Sequence, residues 1–305
     1  MRLARSQLNN VVTIFRSAIA TTTIAPALFR SLLFGSWLSP VVIVFLEASK
    51  RTNPVWIQYS AVLVLSLAQG GGLVWVPLYY IAYLVLGPRP SARPPAGEDA
   101  TGAEKAGAYD HPNELYAVLP AVVVGYLIPA LVLENPLISL TQHQQDWINF
   151  TWQAFPLTVG LLIPLMRFTL PTTYSSAHAV EQSTLLWTGA ICRVIHLTSL
   201  VELFRHSFGP RDKVWSTVSQ LASPGKVAPL SRFIYQFLLL DMALIVFATA
   251  YFILVVPGKT QTSQWRMLLV MLVGAVVQGP GASLAWGWRT RRKEAAVGLG
   301  NRNRS

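Results

Sequence analysis

The sequence predicts an all-α fold, a polytopic transmembrane bundle of seven or eight helices, and three observations lead there. Apolar residues make up 52% of the 305 positions and charged residues only 12%, whereas a soluble domain carries about a quarter charged residues. Several uninterrupted apolar runs reach the roughly 20 residues that a helix needs to cross a bilayer. The alternating pattern of about 10 residues that marks a membrane β-barrel is absent. A core this size could be buried in a soluble protein, but the shortage of charge points to an exterior that faces lipid.

The elements follow in order, without an internal repeat. Residues 1–30 hold a weak span or an interfacial helix, interrupted by Arg16 and a threonine run and closed near Pro26. With Arg2 and Arg5 ahead of it and no small-residue cleavage pattern, this segment is a poor signal peptide. The bundle proper covers 31–288. Its first span, 31–48, ends at Glu47, just before Lys50 and Arg51. Residues 55–87 are too long for one upright helix, and Gln69-Gly70-Gly71-Gly72 marks a kink, a close helix contact or a re-entrant break. Residues 88–112, rich in Pro, Gly and Ala, read as a flexible loop. Further spans are expected at 115–134, 152–170, 184–204, 233–256 and 266–287, with Trp152, Trp265, Trp286 and Trp288 as interfacial anchors near their ends. The 205–232 connection has room for a short interfacial helix around Val214–Leu221, and 289–305 is a basic cytoplasmic tail.

The net charge of +11 does not indicate nucleic acid, because the basic residues lie between the apolar runs and at the chain ends, where they set topology. Placing Arg289, Arg291, Arg292 and Lys293 in the cytosol, together with Arg205, Arg211, Lys213, Lys226 and Arg232, also puts the end of the first span there. The loop 135–151 then falls on the same side although it has no Lys or Arg. The expected location is an integral membrane, that of the endoplasmic reticulum, with a cytoplasmic C-terminus. The single cysteine, Cys192, excludes an internal disulfide framework and a multi-cysteine zinc site, and reads as a small buried hydrophobe.

Ionisable groups inside a bilayer are costly and therefore candidate functional groups. Asp241, in FLLLDMALIVF, sits about eight residues, or roughly 12 Å, into its span; the alternative is an acid hydrogen-bonded to a neighbouring helix for structure alone. Glu47 closes the first span, where pairing with Lys50 or Arg51 is the plainer reading. Glu134 and Glu202 lie near span ends, where solvated or structural roles also fit. In the topology above, all four carboxylates fall in the cytoplasmic half, and a shared polar pocket open to the cytosol would explain it. Gln69 can line such a pocket or hold two helices together. Arg193 and His196, three apart, share a helix face; the histidine fits a satisfied core role, while the guanidinium needs a carboxylate or carbonyl partner. Trp37, Trp75, Tyr79, Tyr83, Trp187 and Tyr235 are packing or interface residues that together can offer π faces to a cation.

The missing motifs narrow the chemistry. There is no DDxxD-like pair for magnesium–diphosphate chemistry, and the five histidines form no clustered boxes. HExxH, a Walker loop and a Rossmann glycine pattern are also missing, and Gly281-Ala282-Ser283-Leu284 is not a nucleophile elbow. No cofactor or metal is expected.

Four stretches carry a family resemblance: LPAVVVGYLIPAL (Leu119 to Leu131), WQAFP (Trp152 to Pro156), FLEASKR around Glu47, and GPGASLAW (Gly279 to Trp286). Over about 26–290 the chain resembles fungal membrane-bound terpene cyclases of meroterpenoid and indole-diterpene pathways, of the ascofuranone, macrophorin and paxilline types. The resemblance implies cofactor-free cyclisation of a prenyl chain on an aromatic or polyketide-derived head. An acid protonates a terminal olefin or epoxide, a carbocation runs through ring closures, and deprotonation ends the sequence. Of the candidate acids, Glu47 lies in a matching stretch, and Asp241 rests on its place within a span. The expected partners are a hydrophobic prenylated small molecule and membrane lipid. The competing readings are a small proton-coupled transporter or receptor-like protein and a membrane scaffold. Against the first stand the missing inverted repeat and the lack of an extracellular cysteine pair.

Overall fold

The computed structural model describes residues 34–49, 55–68, 72–86, 112–134, 138–170, 177–207, 229–255 and 261–302. The described residues form helices and no strand: α1 Gly35–Ala48, α2 Val55–Ala68, α3 Gly72–Leu86, α4 Pro112–Val122, a π-helical segment Val123–Leu127, α5 Ile128–Glu134, α6 Gln142–Gln153, α7 Phe155–Thr169, α8 Ala177–Ser207, α9 Pro229–Val255, α10 Gln261–Gln278 and α11 Pro280–Arg302. The N-terminal segment 1–30, Gln69, nearly all of the 88–112 loop and the helix expected around Val214–Leu221 lie outside the described residues.

Two helical stretches among the described residues, Glu114–Leu133 and Ala177–Glu202, are long and apolar enough to cross a membrane, and α6 with α7 makes a third if that bent pair is one span. Gly35–Ala48, Val74–Leu86, Leu240–Val255 and Gln264–Gln278 are shorter apolar helices. Large apolar side chains cover the exterior: Phe168 is 76% and Val276 77% exposed, with Leu63, Leu161 and Phe247 similarly outward. Water solvates such a surface poorly; acyl chains match it.

Local sequence explains where the helices break. Pro129 has no amide hydrogen to return to the carbonyl of Gly125 four residues earlier, and the backbone widens into the π segment there. Thr141 and Gln144 form a reciprocal capping box at the start of α6, with the Thr141 amide donating to Gln144 Oε1 at 2.9 Å. The α6 axis then meets α7 at 68°, and α6 occupies most of the 135–151 stretch, where the sequence predicts a loop. The helix α2 ends at Ala68 and α3 begins at Gly72, and the two pack against each other as a hairpin.

Contacts fix the direction of each helix. The Gly35 end of α1 meets the start of α11, where the Ser39 hydroxyl donates to the Gly281 carbonyl at 2.7 Å, and it touches α8 at Ile195. Its Glu47 end meets Tyr83 of α3 and Arg292 of α11. On the antiparallel pair α4 and α7, Glu114 and Arg167 form an ion pair at 2.5 Å. Gly279 has φ 93, a left-handed value that favours glycine, and Pro280 starts the next helix, so α11 folds back along α10. Ser283 Oγ donates to the Met271 carbonyl at 2.5 Å, and a Cβ on Gly287 would meet Met271 Sδ at 2.8 Å. The run read as one span, 266–287, is therefore the corner of a hairpin. As a result α9, α10 and α11 alternate in direction. The 205–232 connection and the basic C-terminal segment leave from opposite ends of the bundle, not from one side as the basic clusters suggested. The stretch read as a tail from 289 continues α11 as helix to Arg302.

The crossing of α1, α8 and α11 is the tightest point. A Cβ at Gly281 would collide with the Gly35 carbonyl and lie 2.9 Å from Cys192 Sγ. Cys192 is buried there, 3.5 Å from Ser39 Oγ. Gly281→Ala should lower stability by about 1–3 kcal/mol through overpacking, seen as a lower melting temperature in detergent. Gly189→Ala, whose Cβ would sit 3.6 Å from that of Ala285, should leave it unchanged or higher.

Candidate functional site: a buried glutamate held between tyrosine and arginine

At the far end of α1 from that crossing, Glu47 is fully buried. A carboxylate in such surroundings must be paired and hydrogen-bonded. The Tyr83 hydroxyl donates to Glu47 Oε2 at 2.6 Å, and Arg292 Nη2 donates to Glu47 Oε1. Arg292 also faces a second carboxylate, with Nε 3.1 Å from Glu181 Oε1. That contact lacks hydrogen-bond alignment, so it acts through charge. One guanidinium thus lies between two buried carboxylates from α1 and α8.

Aromatic rings wall this cluster. Tyr80 stacks on Phe252 with centroids 4.3 Å apart, Phe252 stacks on Trp288 at 5.2 Å, and the Arg292 guanidinium lies 4.8 Å over the Trp288 ring. The column runs from α3 through α9 to α11 and ends on the cation that pairs with Glu47. Tyr83 meets Phe252 edge-on at 5.3 Å, and the Tyr80 hydroxyl lies 3.1 Å from Thr249 Oγ1. Arg291, one residue earlier on α11, donates to the carbonyls of Ile253 and Leu254 at 3.0 and 2.6 Å, satisfying the open carbonyls at the end of α9. These contacts fix the pitch at which α11 presents Arg292. Among the described residues, no three His, Cys, Asp or Glu side chains gather at metal-binding distance. The cluster offers two carboxylates, a phenolic donor and π faces.

Comparison with known proteins places this chain in a family. The CtvD domain model matches residues 5–294. The chain belongs to the CtvD domain family. A terpene cyclase from Pyrenophora dematioidea is 22% identical over 281 residues, covering 90% of this chain and 76% of that protein. The FAD-dependent monooxygenase verC1 from Penicillium polonicum is 26% identical over 262 residues, covering 80% of this chain and 30% of that protein. No solved structure matches. The resemblance read from the four sequence stretches and this family membership agree.

Within this CtvD-domain fold, the expected site residues separate. Glu47 and Tyr79 come together with Tyr83. Asp241 is buried on α9, 6% exposed, but lies about 12 Å along the helix from Thr249, the α9 residue that meets Tyr80. Glu202 is 21 residues from Glu181 on α8, about 31 Å along the axis, and so belongs to the opposite end. Glu47, Asp241 and Glu202 therefore do not share one pocket; the hairpins at 55–86 and 261–302 reverse the parity on which that expectation stood. Trp75, Trp187 and Arg193 are on the outer surface. Trp37 is buried in α1, nearer its Gly35 end. The His196 ring lies against Gly279, 3.4 Å from the Val276 carbonyl, where it packs the α10–α11 turn. The side chains of Glu134 and Tyr235 lie outside the described residues.

Sequence reasoning missed Glu181 and Arg292. Glu181 lies ahead of the predicted span, and Arg292 sits in a basic run that topology already explained. The TxxQ pattern at Thr141 was the available signal for α6.

Arg292→Gln would leave Glu47 buried without its cation. It should cost about 3 kcal/mol, as for breaking one half of a buried pair. Arg292→Gln combined with Glu47→Gln should recover part of that loss. Thermal or denaturant unfolding of the two single variants and the double variant checks the coupling; strictly additive losses would count against the pair.

Proposed function

We propose that this chain is an integral membrane terpene cyclase. In this reading it starts ring closure by protonating the olefin or terminal epoxide of a prenylated, meroterpenoid-type precursor, without a metal or a diphosphate leaving group. The observation that carries the reading is the arrangement around Glu47: two buried carboxylates on one guanidinium, beside a column of stacked aromatic rings. A cluster with two carboxylates and one cation is charge-balanced when it holds one proton, and a buried site favours that balance. That proton is the one passed to substrate. With an olefin, the new C–H bond leaves a tertiary carbocation; with an epoxide, the oxygen takes the proton and becomes a hydroxyl as its C–O bond opens. The internal double bonds then close rings, and loss of a proton from carbon regenerates an alkene. Aromatic faces stabilise the migrating cation without capturing it. Asp241, deeper along α9, is the second acid and receives the terminal proton.

Family membership and the Pyrenophora relative support this class of activity. The relative named as an FAD-dependent monooxygenase fits a precursor that carries added oxygen. The apolar exterior supports a membrane setting, in which a greasy substrate enters from lipid. We assign the endoplasmic reticulum, with the C-terminal end of α11, and hence the Glu47 cluster, on the cytosolic side. With both members of each hairpin counted and α4/α5 and α6/α7 each taken as one span, the described helices then make nine crossings in place of the seven or eight expected from the sequence.

The test is expression in microsomes with a panel of prenylated and epoxidised phenolics, with products read by mass spectrometry and NMR. Glu47→Gln should lower cyclisation at least about a thousandfold and Asp241→Asn about a hundredfold, within the range for losing general acid–base groups. Wild-type turnover in both variants would refute the assignment, and saturable vesicle uptake without product would favour transport.

A further inference from the structure

Three phenols of α3 come together beside Glu47, and one of them has an open hydroxyl. Tyr83 donates to Glu47 at 2.6 Å, and Tyr80 is bonded to Thr249 at 3.1 Å. Tyr79 is 3% exposed, and its hydroxyl finds no hydrogen-bond partner among the described residues. Tyr79 and Tyr83 are one turn apart on the same helix face, with ring centroids 6.4 Å apart, and the Tyr80 ring is 5.8 Å away. Tyr79 joins the Glu47 cluster through Tyr83, whose ring it neighbours and whose hydroxyl bonds the carboxylate.

A buried hydroxyl without a partner has lost its water hydrogen bonds with nothing in return. Phenylalanine would fill the same space without that cost, so packing alone does not account for the oxygen. The two neighbouring tyrosines show that this helix face does satisfy its phenols when a protein partner is within reach. The carboxylate of Glu47 is already engaged on both oxygens, by Tyr83 and by Arg292. What remains is a buried donor near the acid that no protein group receives among the described residues.

We propose that Tyr79 is a specificity-determining residue whose hydroxyl donates a hydrogen bond to an oxygen of the substrate (an epoxide, ether, carbonyl or hydroxyl) and holds that end of the molecule beside Glu47. This rests on the cyclase reading for the identity of the ligand, and on the geometry alone for the presence of an oxygen acceptor. A hydrocarbon end has no lone pair to offer and leaves the phenol unsatisfied. A site built to bond an oxygen discriminates against the analogue lacking it far more sharply than an apolar pocket discriminates by size.

The experiment compares wild type, Tyr79→Phe and Tyr83→Phe in purified full-length protein and in microsomes. Two matched pairs of prenylated aromatics serve as probes: one pair differs by an oxygen at the prenyl terminus, the other by an oxygen on the head. Without ligand, Tyr79→Phe should melt at or above the wild-type temperature, because no protein hydrogen bond is lost, while Tyr83→Phe should melt lower. With ligand, thermal stabilisation of wild type should favour the oxygenated member of one pair, and Tyr79→Phe should erase that difference. In turnover, Tyr79→Phe should lower kcat/KM for that member by about 10- to 100-fold, the loss of one hydrogen bond, and change the other member by less than about twofold. A Tyr79→Phe melting loss as large as that of Tyr83→Phe would assign the hydroxyl a structural partner and overturn the proposal. Equal effects on both members of both pairs would overturn it too. Absence of product with every probe would refute the cyclase reading, while the ligand-induced melting shifts would still decide the role of Tyr79.

Discussion

The burial of one carboxylate organises this structure. Glu47 carries an acid to the end of an apolar helix where neither water nor lipid headgroups reach it, and such a group is tolerated only when charge and hydrogen bonds answer it. Its partners come from positions 36 and 245 residues further along the chain. Satisfying it therefore requires α3 and α11, elements remote in sequence, to dock on the same end of α1. For α11 this is possible because the chain reverses at Gly279 and because Gly35 and Gly281 allow the opposite end of the same helix pair to approach closely. The tight crossing at one end and the ion pair at the other are two fixed points of one helix–helix contact.

The same constraint gives the site its chemical character. Arg292 cannot be mobile if it is to neutralise a buried acid, and three contacts hold it: Glu47, Glu181 and the Trp288 ring. Arg291 ties the adjacent turn to the end of α9. Preorganised charge of this kind does not have to reorient while charge develops on a substrate, which is where electrostatic catalysis gains most. The aromatic column adds surfaces that attract a cation and lack a good nucleophile. In the proposed reaction, the Glu47 end supplies the proton and the rest of the bundle shapes the hydrocarbon that receives it, with Asp241 at a second depth. The separation of the two acids suits an extended chain that is protonated at one point and deprotonated at another.

Breaks in the helices matter as much as their apolar faces. The reversal from α2 to α3, the proline-bounded π segment, the sharp bend between α6 and α7 and the turn at Gly279 each change the direction or phase of the chain. Two of them produce hairpins from runs long enough to suggest a single crossing. Each added hairpin reverses every topological assignment that depends on counting spans, which is why residues grouped by depth on paper separate in space.

The sequence alone determined the class of the molecule: all-helical, with apolar helices that suit a bilayer, cut at glycine and proline, and related to terpene cyclases through stretches around Glu47 and Gly279. It also marked Glu47 and Asp241, because an acid within an apolar run is conspicuous wherever it points. These features are local, set by composition and by the backbone preferences of single residues. Only the tertiary structure decided which groups meet. Arg292 looked like one more charge in a basic run, and Glu181 like a polar residue ahead of a span. Their roles arise from an ion pair whose members are distant in the chain, and no local pattern records it. Whether the Tyr79 hydroxyl is satisfied depends in the same way on what other helices bring to it. A single residue's chemistry can be read from its neighbours in sequence; its partners are set by how helices pack, which follows from summed contacts over the whole chain.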